Sequence, residues 1–223
     1  IVGGLLGLEV AKAVVDLGLE AHVLEHGNRL MPRQVDDAGG ELLIRAIESI
    51  GVHVHTQMGA KEIQGGAAVE SLALPEGIQL ETDMVIISAG IKARDELARK
   101  CDLVVGERGG IAIDRTLATS DPAIFAIGEC ALHEGTIYGL VAPGYEMADI
   151  LARRFMGEEV EFAGADLSTK LKLLGIDVAS FGDPFADQDG NAARKVVIQD
   201  AVAGVYQKLV VSADGERLIG GIL

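Results

Sequence analysis

The sequence predicts an α/β protein in which parallel strands alternate with crossover helices and a small α+β module follows. Three observations carry that prediction. Short runs rich in Val and Ile alternate with stretches of helical periodicity. Glycine is abundant, 29 in 223 residues, and much of it falls between those runs, where an α/β chain must turn. Apolar residues make up 49% of the chain, enough for one large core or two smaller ones.

Charge and cysteine usage narrow the function. The formal net charge is −15. An acidic surface repels nucleic acid and anionic membranes, so neither is an expected partner. No run of 18 apolar residues and no leader pattern is present, which predicts a cytoplasmic chain without a membrane span. The two cysteines, Cys101 and Cys130, are far apart and form no C-x-x-C. That fits a reducing compartment and excludes a C-x-x-C redox disulfide.

The first element reads from Ile-Val-Gly-Gly-Leu-Leu-Gly-Leu-Glu: the end of a buried strand, a tight turn and a helix start. Such a turn brings backbone N–H groups and a helix N-terminus to a pyrophosphate. In the dinucleotide pattern G-x-G-x-x-G, Gly4 and Gly7 match the second and third glycines, and Val2 stands at the first. A full strand normally precedes this turn. The chain is therefore expected to be an internal piece of a longer protein, with a gap at the centre of its first sheet. Leu6, Val10, Ala13, Val14 and Leu17 recur at helical spacing up to Gly18, which ends the helix.

Ala21 to Glu25 is the next strand, closing on an acid 18 residues beyond Gly7. A carboxylate at that distance binds the adenosine ribose hydroxyls and repels a 2′-phosphate, favouring NAD over NADP. Arg29 and Arg33 weaken the preference, since either could reach a phosphate. A helix from about Val35 to Ile50 follows, with Ala38, Leu42, Ile44 and Ile47 as candidate core residues. Val52-His53-Val54-His55 is a strand with two histidines on one face. No third ligand is visible nearby in the sequence, so they read as solvated or capped, and no metal is expected. Lys61–Ile63, Ala68–Leu74 and Ile78–Glu81 read as a short antiparallel meander.

The apolar run Asp83 to Gly90 predicts a strand buried on both faces, ending in Ala89 and Gly90, which let a ligand approach the backbone. A short helix over Glu96–Cys101 and a strand from Gly109 to Asp114 come next. Thr119 to Cys130 reads as a strand ending at Gly128 with Glu129 immediately after, placed to accept a ribityl or ribose hydroxyl. Pro143-Gly144 opens or bends a helix carrying Tyr145, Met147, Ala148, Ile150, Leu151 and Phe155. Asp166 to Gly175 reads as a short capped helix with a Leu167, Leu171 and Leu174 stripe and with Lys170 and Lys172 solvated. Strands over Asp177–Phe181, Lys195–Gln199, Tyr206–Val211 and Arg217–Leu223 complete the tail, with Asp214-Gly215 as a hairpin turn.

Taken together, these stretches resemble the pyridine-nucleotide-dependent flavoprotein reductases built from two dinucleotide-binding domains. The glycine turn ending in Gly-Leu-Glu is one shared element. Thr119, Ile124, Ala126 and Gly128 match a second, T-x-x-x-x-I-x-A-x-G-D, in which Glu129 replaces the usual Asp. Gly128-Glu129-Cys130-Ala131, Tyr138 to Glu146 and Gly164 to Gly182 are similar to the large subunit of assimilatory NAD(P)H-dependent nitrite reductase. The resemblance covers essentially the whole chain. It implies a Rossmann-like NAD-binding domain over 1–93, the second half of an FAD-binding domain over 94–158, and a reductase C-terminal module for dimerisation or docking over 159–223.

The resemblance also implies roles. Gly3, Gly4, Leu5, Leu6 and Gly7 approach the NAD pyrophosphate, and Glu25 binds the ribose, with Arg29 beside it. Ala89 and Gly90 line the nicotinamide end, and Glu9 faces it. Gly128 and Glu129 hold the ribityl or pyrophosphate region of FAD. Ala142 and Pro143 set a helix start at the flavin pyrimidine edge. No acid–base catalyst is identified, and hydride transfer from NAD(P)H to FAD needs none. Iron–sulfur and sirohaem centres are implied only beyond this chain, since two cysteines cannot hold a cluster. A homodimer, further domains and a small subunit are the implied partners. Two other readings fit the layout: an NADH:rubredoxin or ferredoxin reductase, and a non-catalytic docking module. The chain alone is expected to hold FAD poorly.

Overall fold

The computed structural model describes residues 3–173, 175–188 and 192–223, with residues 172 and 173 described in their backbone only. The chain divides into two compact units: residues 1–90 together with Ser168–Leu223, and Ile91–Leu167.

The first unit starts with helix α1, Leu5–Asp16, then strand β1, Ala21–Leu24, helix α2, Asp37–Ser49, and strand β2, Val52–His55. β1 and β2 pair in parallel, with Ala21 opposite Val52 and His22 opposite His53. Asp36 caps α2 by accepting from the Gly39 N–H, and Gly18 and Gly51 turn the chain with positive φ after each helix. Leu8, Ala11, Val23, Leu43, Ile47 and Val52 form the core where the helices meet the strands.

Of the predicted α1 stripe, Val14 packs against the core, but the stripe's two ends do not. Leu6 is 63% exposed and Leu17 77%, while Leu8 and Ala11 are buried. α1 is apolar almost all round, so periodicity could not choose between its faces. In α2, Ile47 is buried as predicted, and the buried Leu43 sits beside the predicted Leu42 and Ile44.

A three-stranded antiparallel meander follows as predicted: β3, Glu62–Gln64, β4, Ser71–Ala73, and β5, Gln79–Glu81. The predicted strand over 83–90 does not form. Met84 is 67% exposed and Ile87 75%, and no strand pairs with this segment among the described residues. A parallel strand exists only through its ladder. The first sheet has two strands among the described residues; Ile1 and Val2, where the expected gap would lie, are outside the described residues.

The tail contains strands β8 to β12: Thr169–Leu173, Ile176–Gly182, Arg194–Asp200, Val205–Val211 and Leu218–Ile222. They form one antiparallel sheet in the order β10-β11-β12-β9-β8. The helix predicted over Asp166–Gly175 is strand β8, which pairs with β9 from Thr169–Ser180 to Leu173–Ile176. Thr-Lys-Leu-Lys-Leu alternates with period two, and a neighbouring strand selects that period over the helical one. Leu171 is buried in the first unit's core, and Lys170 is exposed as predicted. Leu174 and the side chain of Lys172 lie outside the described residues. The module is thus a sheet with no helix among its described residues, rather than α+β.

This sheet covers the helices through a polar anchor. The Tyr206 hydroxyl donates to Asp36 Oδ2 at 2.7 Å, and Lys208 Nζ lies 2.7 Å from Asp187 Oδ1 and 3.4 Å from Asp36 Oδ2. Lys208 is 1% exposed. Burial opposes ionisation of Asp187, and Lys208 outweighs it, holding the carboxyl below its ordinary range. Burial, then Asp36, pushes the Tyr206 hydroxyl up.

The second unit contains helix α3, Glu96–Lys100, strands β6, Ile111–Ile113, and β7, Ala131–His133, and helix α4, Val141–Phe155. β6 and β7 pair in parallel. The strand expected to end at Gly128 is reduced to a single bridge between Phe125 and Ala118, and a 3₁₀ turn over Gly128–Cys130 leads into β7. α4 starts at Val141, ahead of the predicted Pro143. It buries Met147 and Ile150 against Leu117, Ala126 and Phe162 and leaves Tyr145 and Phe155 exposed.

Candidate nucleotide-binding site

The first corner of interest is the start of α1. Gly4 is its N-cap in an extended conformation; no side chain caps the helix, and no acid stands in its first turn. A 12-residue helix begun this way presents backbone donors and the positive end of its dipole to an anion. A Cβ on Gly4 would meet nothing within 4 Å, so its outer side is open to a ligand. Gly3 is closed: a Cβ there would overlap Leu30 Cδ2 and press on Glu25. The turn is also braced by the Met31 N–H, which donates to the Gly3 carbonyl at 2.8 Å.

Glu25 follows β1 directly and is buried. Its Oε2 accepts from the Gly3 N–H at 2.9 Å and its Oε1 from the Gly27 N–H at 2.7 Å. Glycine turn and strand-end acid, 22 residues apart, are therefore one hydrogen-bonded unit. Each carboxylate oxygen retains a second lone pair for a hydroxyl.

Arg29 is engaged elsewhere. Its guanidinium donates to the Val35 carbonyl at 2.9 Å, to Asp37 at 2.7 Å and to the Pro32 carbonyl at 3.3 Å. It also lines an open cleft of about 390 Å³ beside Asp36, Lys195 and Tyr206. Arg33 and Glu9 are exposed, as are Ala89 and Gly90 in the 83–90 segment.

A second, similar corner lies in the other unit. α4 also begins without a side-chain cap or a first-turn acid. Pro143, in its first turn, has no N–H, so the donors at this end are Val141, Ala142 and Gly144. A Cβ on Gly144 would stand 3.2 Å from Gly128 Cα, and the Gly128 N–H donates to Met147 Sδ at 3.2 Å. Those contacts hold the Gly128–Cys130 turn against the helix start, with Gly128 at φ +79° and Glu129 exposed. Both corners thus offer an anion site with an acid nearby, the donor set that pyrophosphate and sugar hydroxyls require.

The structure adds a cluster that sequence reasoning missed. His22, on β1, stacks between His53 and His55 of β2, with ring centroids 4.7 Å and 5.2 Å away. His22 Nδ1 lies 2.9 Å from His55 Nε2, and Glu20 Oε1 lies 3.1 Å from His22 Nε2 and 3.5 Å from His53 Nε2. Burial, then His22 and His53, lowers the His55 pKa below its ordinary value. The signal was the alternation of His53 and His55; the partners come from the parallel register, which no local pattern shows.

An uncapped glycine helix start joined to a strand-end carboxylate in an α/β unit is the arrangement of dinucleotide-binding folds. The chain belongs to the pyridine nucleotide-disulphide oxidoreductase family, whose model matches residues 1–151. Residues 168–223 match the rubredoxin NAD+ reductase C-terminal domain. The chain is 51% identical to the nitrite reductase [NAD(P)H] large subunit of Klebsiella oxytoca, over 99% of this chain and 23% of that protein. It is 48% identical to the nitrite reductase (NADH) large subunit of Escherichia coli K12, over 99% of this chain and 26% of that protein. The chain thus spans about a quarter of the length of these relatives. Among solved structures, an FAD-dependent pyridine nucleotide-disulphide oxidoreductase from Desulfovibrio vulgaris matches all of this chain and 58% of its own, at 27% identity and a TM-score of 0.85. An NAD-dependent persulfide reductase from A. fulgidus matches all of this chain and 45% of its own, at 26% identity and a TM-score of 0.88. No helix among the described residues is long and apolar enough to cross a membrane.

Proposed function

We propose that this chain is the NADH-accepting flavoprotein portion of an assimilatory nitrite reductase. The observation that carries the reading is the Gly3–Glu25–Gly27 unit beside the uncapped start of α1. Gly4 and the N–H groups of Leu5, Leu6 and Gly7 would receive the NADH pyrophosphate, and Glu25 the adenosine ribose. Glu25 disfavours a 2′-phosphate by charge, and Arg29, tied to Asp37 and two carbonyls, does not offset it. Ala89 and Gly90 would lie at the nicotinamide, with Glu9 toward it.

Gly128 and Glu129 would receive the FAD ribityl and pyrophosphate region. The start of α4, with the N–H of Ala142 beside Pro143, would place positive potential at the flavin pyrimidine edge. When bound, the two cofactors supply the hydride donor and its acceptor. The chain's own work is to orient them and to set that potential. Electrons would then leave for iron–sulfur and sirohaem centres held by further domains, where nitrite becomes ammonia. The 168–223 module would dock those domains, the small subunit or a second copy.

The test is anaerobic titration of the intact protein with NADH and with NADPH, following flavin bleaching. Bleaching by NADH at lower concentration than NADPH, with nitrite-dependent turnover, is expected. Absence of bleaching by either would overturn the reading in favour of a docking module. The match of residues 168–223 to a rubredoxin reductase domain favours one other enzyme. NADH oxidation that depends on rubredoxin or ferredoxin and not on nitrite would establish it.

A further inference from the structure

The face of β1 and β2 that carries His22 and His53 takes no part in the nucleotide chemistry, yet it gathers metal-ligating atoms at coordination spacing. One ligand atom from each of Glu20, His22 and His53 lies within 4.8 Å of the other two. Glu20 Oε1 is 3.1 Å from His22 Nε2 and 3.5 Å from His53 Nε2. Bonds of about 2.0–2.1 Å in a tetrahedral zinc site put neighbouring donors about 3.3 Å apart. We propose that Glu20, His22 and His53 bind a divalent transition-metal ion, with zinc as the fitting ion and a solvent molecule as fourth ligand.

Two features beyond the ligand count support this. The first is the orientation of His22. Its other ring nitrogen, Nδ1, lies 2.9 Å from His55 Nε2. With Nδ1 donating its hydrogen there, the Nε2 lone pair is left for a ligand beside Glu20 Oε1. A ligating imidazole braced through its second nitrogen is the usual outer-shell arrangement of zinc sites. His55 is thus a positioning residue rather than a ligand.

The second feature is the frame. Glu20 immediately precedes β1, His22 lies in it, and His53 lies on β2 directly opposite His22. Backbone pairing fixes His22 beside His53, and Glu20 already lies at donor spacing from both, so closing the site requires the two stacked imidazoles to turn toward one ion. His22 is half-buried, while His53 and Glu20 are exposed, leaving an open side for solvent and for the ion's entry. The chain's net charge of −15 favours cation capture generally. A bound ion would clip the two strands of the first sheet together, where few other strands brace them.

The experiment is zinc chloride titration of the chelator-treated 223-residue chain by calorimetry, with Co²⁺ absorption reporting coordination geometry. One Zn²⁺ per chain is expected, with tetrahedral Co²⁺ bands and a rise in Tm. His53→Gln and Glu20→Gln lie at the surface and should keep the far-UV circular dichroism while weakening Zn²⁺ binding at least tenfold. His55→Phe should weaken it about 10–100-fold without removing a ligand. His26→Gln, an exposed histidine outside the cluster, should bind as the parent does. No Zn²⁺ binding by the parent chain, or equal binding by His53→Gln and the parent, overturns the proposal.

Discussion

The two helix starts, at Gly4 and at Val141, are built alike and secured differently. Each is uncapped, lacks a first-turn acid and has a glycine turn with an acid beside it. At the first, the acid is structural: Glu25 is buried, and each oxygen accepts a backbone N–H. At the second, the turn is held by apolar and sulfur contacts to α4, and Glu129 is exposed. One acid therefore braces its corner of the fold, and the other stands at the surface.

Glu25→Ala should break that contrast most severely. It deprives two backbone N–H groups of their acceptor at about 1–3 kcal/mol each. Urea unfolding should show a loss of about 2–6 kcal/mol, and NADH affinity should fall with it. Glu129→Ala removes an exposed side chain and should change stability by less than about 0.5 kcal/mol while weakening FAD retention. Equal destabilisation by the two would erase the distinction.

The glycines sharpen it. Gly128→Ala forces a side chain into φ +79°, at a cost of about 1–2 kcal/mol. Gly4→Ala meets open space at a negative φ, so thermal unfolding should scarcely move. Its expected effect is on NADH, whose Kd should rise because the methyl occupies the side open to the pyrophosphate. Unchanged NADH affinity in Gly4→Ala would remove the helix start from the site.

A smaller effect concerns acid. Asp187 is depressed in the folded state, so its contribution is present above the unfolded carboxyl value near pH 4 and is lost as pH falls below it. Asp187→Asn should flatten the stability profile of the first unit in that window, measured by unfolding at stepped pH. A profile identical to the parent would show that the Lys208 pair does not stabilise the fold.

Where the residues carry local instructions, the sequence was readable. Gly4 and Gly18 bracket α1, and Glu25 stands at the end of its strand, because strand length and turn chemistry are local. The nucleotide turn was found from these positions alone. The bond from Gly3 to Glu25 was not, because it joins two elements that packing brings together. The error at α1 has the same origin. Leu6, Val10, Ala13 and Leu17 are as apolar as Leu8 and Ala11, and only the neighbouring sheets decide which set is covered.

Segments 83–90 and 169–173 mark the boundary from opposite sides. The first has a strand's composition, pairs with no strand among the described residues, and leaves Met84 and Ile87 exposed. The second was read as a helix, and β9 makes it a strand. By itself the sequence determined the α/β class, the glycine turn, the strand-end acid and the order of most elements, since each is set by interactions within a few residues. Tertiary structure alone decided which face of α1 is buried, whether an apolar run becomes a strand, and that His22 meets His53 and His55. Those outcomes depend on backbone partners far along the chain, whose hydrogen bonds and buried area no local pattern contains.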